Sequence, residues 1–212
     1  LAGEARGEIF QPIRRTPIAR PDLAITRSSL FFPPQTRALM RSQPQFFQVL
    51  VATSVFWCVG GLYLSGVNDL GILQLKIDEA ATGRLQACAA IGTAIGCVLA
   101  GTLSRGRFEA RLVVAGMVGM ILFLTVLALP GSARGETLVG VYGAGVVLVV
   151  LGISAGLFAV PITVYLQALA PADQKGQIIG VMNLCNWIGI LLSGVLHFAG
   201  TSFLTATGVP EN

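Results

Sequence analysis

Ionisable side chains are scarce in this 212-residue chain: charged residues make up 11% of it, and there is a single histidine. A soluble globular domain carries about a quarter of its residues as charges, so composition alone sets this chain apart from that class. Histidine-based metal sets and Ser-His-Asp catalysis have almost nothing to draw on. No HExxH, phosphate-cradling GxxxxGK[ST] or serine-elbow pattern occurs, and we expect no catalytic role for the segment and no cofactor. The four cysteines, Cys58, Cys88, Cys97 and Cys185, form no CxxC pair and all fall inside apolar runs, where they read as small hydrophobes rather than a disulfide framework or a metal site.

What the chain has in abundance is apolar length. The mean hydropathy is +0.76, and 54% of residues are hydrophobic. Five runs, Phe46–Leu75, Ala81–Ser104, Leu112–Pro130, Leu138–Leu169 and Gly176–Ala199, meet the roughly 20 residues that a helix needs to cross a bilayer. The expectation is an all-α, multi-pass membrane protein whose two ends lie on opposite sides.

Charge is distributed unevenly. Residues 1–45 hold Arg6, Arg14, Arg15, Arg20, Arg27, Arg37 and Arg41 against three acids, with six prolines that argue against a packed domain. The loop after the second run, SRGRFEAR, adds Arg105, Arg107 and Arg111 against Glu109 alone. By the positive-inside rule the N-terminus is cytoplasmic and the C-terminus outside. Residues 1–45 then read as a cytoplasmic connector with a short surface helix near Gln35–Ser42, residues 46–199 as the membrane domain, and residues 200–212 as an outer loop. Nucleic acid is not an expected partner, because the basic arm runs straight into a spanning helix with no folded reading element.

Polar residues within the runs keep helical phase. Thr53, Ser54, Trp57, Gly60, Gly61, Asn68 and Gly71 fall in a sector of roughly 120°, which favours a first helix that continues through Asn68-Asp69 to about Leu75. Tyr142, Gly145, Gly152, Gly156, Thr163 and Gln167 share roughly 80° of the fourth run; Gly176, Asn183, Asn186, Ser193, Gly194 and His197 share about 100° of the fifth. Such faces must look at protein or a wet cavity, because an unpaired amide in hydrocarbon costs several kcal/mol, of order 2–7. We therefore expect them to converge on one side of the bundle. Asn183 and Asn186 line a substrate path or make interhelical hydrogen bonds. Asp69 is a coupling acid, or an outer-end cap or salt bridge; His197 is a proton relay, or simply hydrated near the interface. The spacings Gly92-x3-Gly96 and Gly152-x3-Gly156 permit close backbone approach, and Pro161 marks an expected kink.

The segment GTLSRGRFEAR (Gly101–Arg111) resembles a degenerate second copy of the inter-helix motif of the major facilitator superfamily, with Ser104 in place of its usual acid. The run GLFAVPITVYLQALAPADQKGQIIGVMNLCNWIGILLSG (Gly156–Gly194) is similar to bacterial lysophospholipid transporters, especially forms fused to an acyltransferase. That resemblance implies a partial bundle of that superfamily, its five spans being the seventh to eleventh of twelve, with the opposing N-terminal half and a twelfth helix on a longer chain that begins before Leu1. It implies alternating access, location in the bacterial inner membrane, a lysophospholipid substrate drawn from membrane lipid, and a fused or associated acyltransferase as partner. The substrate cavity is then expected at Trp57, Gly61, Asn68, Gly152, Gly156, Thr163, Gln167, Asn183 and Asn186, with Asp69, Arg105, Arg107 and Arg111 in coupling or gating. A drug or sugar exporter of the same superfamily, or a membrane scaffold for an acyltransferase, are the competing readings.

Overall fold

The computed structural model describes residues 32–104, 108–129, 138–171 and 174–207. The chain divides into two compact units, Leu1–Pro34 and Gln35–Asn212, and the five long helices belong to the second. In order the helices are α1 (Pro34–Ser42), a short one, then α2 (Pro44–Asp69, continued by a π turn over Leu70–Gln74), α3 (Glu79–Ser104), α4 (Ala110–Ala128), α5 (Gly140–Leu169) and α6 (Lys175–Ala206). All but α1 are long and apolar enough to cross a membrane. The fold is an all-α, multi-pass membrane bundle.

The first long helix does pass through Asn68-Asp69, but not as a plain α-helix. Past Asp69 the winding widens, with Leu75 N–H donating to the Leu70 carbonyl at 2.8 Å. Closure follows through Ile77 N–H to the Gly71 carbonyl at 3.0 Å, with Lys76 at a left-handed φ of 51°. Asp78 then caps α3: its Oδ1 accepts from Ala81 N–H at 2.6 Å, and its carbonyl accepts from Thr82. A carboxylate here satisfies an orphan donor and complements the helix dipole. At the other end of the chain, α6 runs to Ala206, so the expected outer loop from residue 200 is corrected: residues 200–206 are helical. Nothing in GTSFLTA breaks a helix already propagating, and Thr201, Thr205 and Thr207 bond back to carbonyls one turn earlier.

Small residues decide which helices touch. On α3 the buried positions are Thr82, Leu85, Ala89, Gly92, Gly96 and Ala100, a single stripe at three- and four-residue spacing. It meets α5 at Gly152 and Gly156. A methyl group on Gly92 would lie 2.8 Å from the Val149 carbonyl carbon, and one on Gly156 would lie 2.6 Å from that of Gly96. The register rises together on both helices, so α3 and α5 are parallel. The second parallel pair is α2 and α6: Gly189 abuts Ser54 and Cys58, and Gly61 abuts Ser193. In contrast, α4 packs antiparallel on α5, with Gly116 against Ser154 and Phe158. In lipid there is little hydrophobic drive between helices, and close backbone approach through small residues supplies van der Waals contact instead.

Helix α5 is the centre, buried on most of its circumference from Ala144 to Leu166. Pro161 lies inside it without interrupting it, leaving the Leu157 carbonyl without its usual intrahelical donor. The core, built from Val67, Leu70, Leu85, Ala89, Ala144, Leu148 and Leu151, lies where α2, α3 and α5 meet.

Candidate functional site

Most of the hydroxyls within the spans are already satisfied by their own helices. Thr53 and Ser54 both donate to the Leu50 carbonyl at 2.9 Å, Thr93 to Ala89, Ser154 to Val150, and Ser193 to Ile190. A short hydroxyl reaches the carbonyl one turn back; an amide offers two donors and an acceptor that a helix does not absorb in this way. The polar groups left to meet a ligand are therefore the amides and the Tyr63 hydroxyl.

Asn186 is the clearest of them. It is only 9% exposed, one turn before Gly189 on the face of α6 that packs against α2, and its Oδ1 is buried with no hydrogen-bond partner. Leaving such an acceptor unmade costs about 1–3 kcal/mol. Asn183 lies on the same helix but is exposed. The two were expected to share one face. Three residues on a helix are about 60° apart, which here is enough to put Asn186 inside the α2–α6 crossing and Asn183 outside it.

On α2, Trp57 is 45% exposed and Asn68 is exposed, so both present their side chains to the surface of the five-helix bundle. On α5, Thr163 is half-buried and Gln167 exposed. Gly61, Gly152 and Gly156 lie at helix crossings. Their backbones lie against Ser193, Thr93 and Gly96 respectively, too close to admit a ligand atom between them, although Gly152 also borders a pocket of about 80 Å³. The glycines within the three faces bring helices together, Asn186 is enclosed in the α2–α6 crossing, and the other larger polar residues are left at the edges of the crossings.

Among the gating candidates, Arg111 is exposed in the first turn of α4, and Arg105 and Arg107 lie outside the described residues. Asp69 Oδ2 lies 3.6 Å from His197 Nε2. Sequence reasoning missed this pairing, which parallel α2 and α6 imply once both residues are placed near the same end. It also missed Tyr63, whose buried hydroxyl has no partner beside two pockets, and the contact of Tyr165 Oη with Gln45 Oε1 at 3.2 Å.

The open volume near these residues is apolar. A groove of about 550 Å³ between α2 and α4 is lined by Phe47, Val51, Val55, Met117, Ile121 and Phe158 among others, and a second of about 340 Å³ runs past Leu62, Gly66 and Leu127. None of the residues expected from the sequence to form the site lines either, and Tyr63 lines the second.

Comparison with known proteins agrees with this architecture. The Major Facilitator Superfamily profile matches residues 9–194. A D-xylose transporter from Levilactobacillus brevis is 27% identical over 157 residues, covering 71% of this chain and 33% of that protein. The chain therefore spans about a third of the length of the curated relative it matches. No solved structure matches at a significant level. With five apolar spans and a superfamily match over most of its length, this chain belongs to the Major Facilitator Superfamily.

Proposed function

We propose that this chain is the seventh-to-eleventh-helix portion of a secondary transporter that moves lysophospholipids across the bacterial inner membrane by alternating access. In this reading residues 1–45 are a cytoplasmic connector, the substrate path faces an opposing N-terminal half, and a fused or associated acyltransferase consumes the cargo. The observation that carries it is the Gly156–Gly194 run, similar to lysophospholipid transporters, which spans the end of α5 and most of α6 and contains the buried, unpartnered Asn186 Oδ1. Amides and a tryptophan with no ionised group at mid-span suit an amphiphile, whose glycerol and phosphate oxygens need a few donors while its chain needs none.

Sugar transport is the second reading, supported by the D-xylose transporter relative. Asn and Gln side chains beside an aromatic ring also suit a polyol. The two separate in one assay: spheroplasts producing the full-length protein are given radiolabelled lysophosphatidylethanolamine with or without excess D-xylose. Uptake above vector controls that xylose leaves unchanged supports lysophospholipid transport. Xylose accumulation without lysophospholipid uptake replaces it with the sugar reading.

A further inference from the structure

Basic residues are rare in the five long helices, and their placement is uneven. Arg111 and Lys175 stand in the first turns of α4 and α6, whereas Arg84 is the sixth residue of α3. A cation this far into a span needs an anion, or a stem that lifts its charged head to the interface. Among the described residues no acid forms an ion pair with Arg84. Asp78 is engaged at Ala81 N–H, and Glu79, five residues earlier on α3, lies about 140° away around the helix.

Arg84 borders a groove. About 470 Å³ of open volume follows the α3–α5 seam at the end away from the basic α3–α4 loop, lined by Arg84, Cys88, Tyr142, Gly145, Val146 and Val149 among others. The two helices touch backbone to backbone at Gly152 and Gly156, but they stand further apart at Gly145. A methyl group there would meet only Cys88 Sγ and Leu85 Cδ2, each at 3.8 Å, which is ordinary contact. Tyr142, in the first turn of α5, is 93% exposed at the mouth of the groove. Beyond Arg84 the outward face of α3 is apolar: Cys88, Ile91, Ile95 and Val98 fall within about 40° of it, and the last three are exposed. From Arg84 to Val98 this stripe runs about 21 Å, longer than the roughly 15 Å of half a hydrocarbon core.

We propose that this groove binds a single-chain phospholipid, with its phosphate on the Arg84 guanidinium and its acyl chain laid along the α3 stripe. The proposal rests on the lysophospholipid reading and names a head-group subsite for it. Charge complementarity selects the occupant: an unpaired guanidinium heads an apolar trough, and a phosphate heads an apolar chain. The planar fork of arginine pairs two phosphate oxygens at once. The exposed Tyr142 ring offers its face to the ammonium of an ethanolamine or choline head. A trough kept open by one absent side chain, at Gly145, suits one chain rather than two. Arg84 belongs to α3 and stands apart from the α2–α6 crossing that encloses Asn186, so the two positions are separately testable.

Photolabelling tests this without a transport assay. Full-length protein in lipid nanodiscs is exposed to lysophosphatidylethanolamine carrying a diazirine in its acyl chain, and labelled peptides are mapped by mass spectrometry. Labelling that excess unlabelled lysophosphatidylethanolamine removes should fall in residues 84–98 and 141–149. Arg84→Gln should lower it about two- to fivefold, the range of a solvent-exposed charge pair, and Arg84→Lys should retain most of it. A diazirine monoacylglycerol, which has no phosphate, should not respond to Arg84→Gln. Gly145→Leu, whose side chain enters the trough, should lower labelling by both probes. Competed labelling that maps elsewhere, or that Arg84→Gln leaves unchanged, overturns the groove and leaves the lysophospholipid reading standing. Equal labelling of these residues by a two-chain phosphatidylethanolamine probe assigns them to bulk lipid and also overturns it. Absence of competed labelling anywhere on the protein removes the reading itself, and the groove with it.

Discussion

The ring of Phe108 stacks on Tyr165 with centroids 4.3 Å apart and planes 27° from parallel, joining the residue just after the basic α3–α4 loop to the last turns of α5. Tyr165 in turn reaches Gln45 at the start of α2. Three segments distant in sequence are tied at one end of the bundle through a single tyrosine. Its ring and hydroxyl make separable contributions. Phe108→Ala should cost about 0.5–1.5 kcal/mol of stacking beyond lost area, and Tyr165→Phe about 0.5–1.5 kcal/mol for the hydrogen bond. A double-mutant cycle on thermal unfolding in detergent should show coupling between Phe108→Ala and Tyr165→Ala, and little between Phe108→Ala and Tyr165→Phe. Full additivity of the first pair would mean that the stack contributes nothing.

Gly156→Ala should separate α3 from α5, since the new methyl would lie 2.5 Å from Cys97 N and 2.6 Å from the Gly96 carbonyl carbon. Backbone on both sides has no rotamer to yield, so a loss of about 1–3 kcal/mol is expected. Gly101→Ala, on the exposed end of α3 with nothing within 4 Å, is the matched control. Fluorescence-detected size exclusion after heating compares the two; equal midpoints would contradict the backbone-to-backbone crossing.

Asn186→Leu removes an acceptor that has no partner and keeps the branching and the number of side-chain heavy atoms, though two methyl groups are bulkier than the amide. Removing an unmade polar group relieves up to about 1–3 kcal/mol, so the variant should be as abundant and as heat-stable as the parent or more so. Under the proposed function its lysophospholipid uptake should nevertheless drop. Lower stability with proportionate loss of uptake would instead assign Asn186 to helix packing.

Among the described residues, one position in the α2–α3 turn and one at the first residue of α5 have positive φ and should respond oppositely. Lys76 has φ of 51° with a side chain; Gly140 has φ of 57° without one. Lys76→Gly should stabilise the α2–α3 turn by up to about 1 kcal/mol, while Gly140→Ala should cost about 1–2 kcal/mol at the start of α5. Unfolding midpoints of the two variants in the same detergent provide the comparison.

The five spans, the short helix before them and the continuation of α2 beyond Asn68-Asp69 were legible in the order of residues, because the length of an apolar run and the phase of its polar residues are local properties that lipid translates directly into helices. The close-packing role of Gly92, Gly96, Gly152 and Gly156 was legible for the same reason. The end of α6 was not: without a breaker after Ala199, threonine and phenylalanine continue a helix that composition reads as a loop. Nor was it visible which polar residues would be spent on packing. Helical phase grouped Asn183 with Asn186 and Trp57 with Gly61, yet a crossing between two cylinders touches only a narrow strip of each. Residues about 40–60° apart therefore part company, one against a neighbouring backbone and the other on the bundle surface. The pairing of Asp69 with His197 belongs wholly to tertiary structure, since it requires α2 and α6, 128 positions apart at these residues, to run in the same direction and meet through glycine and serine.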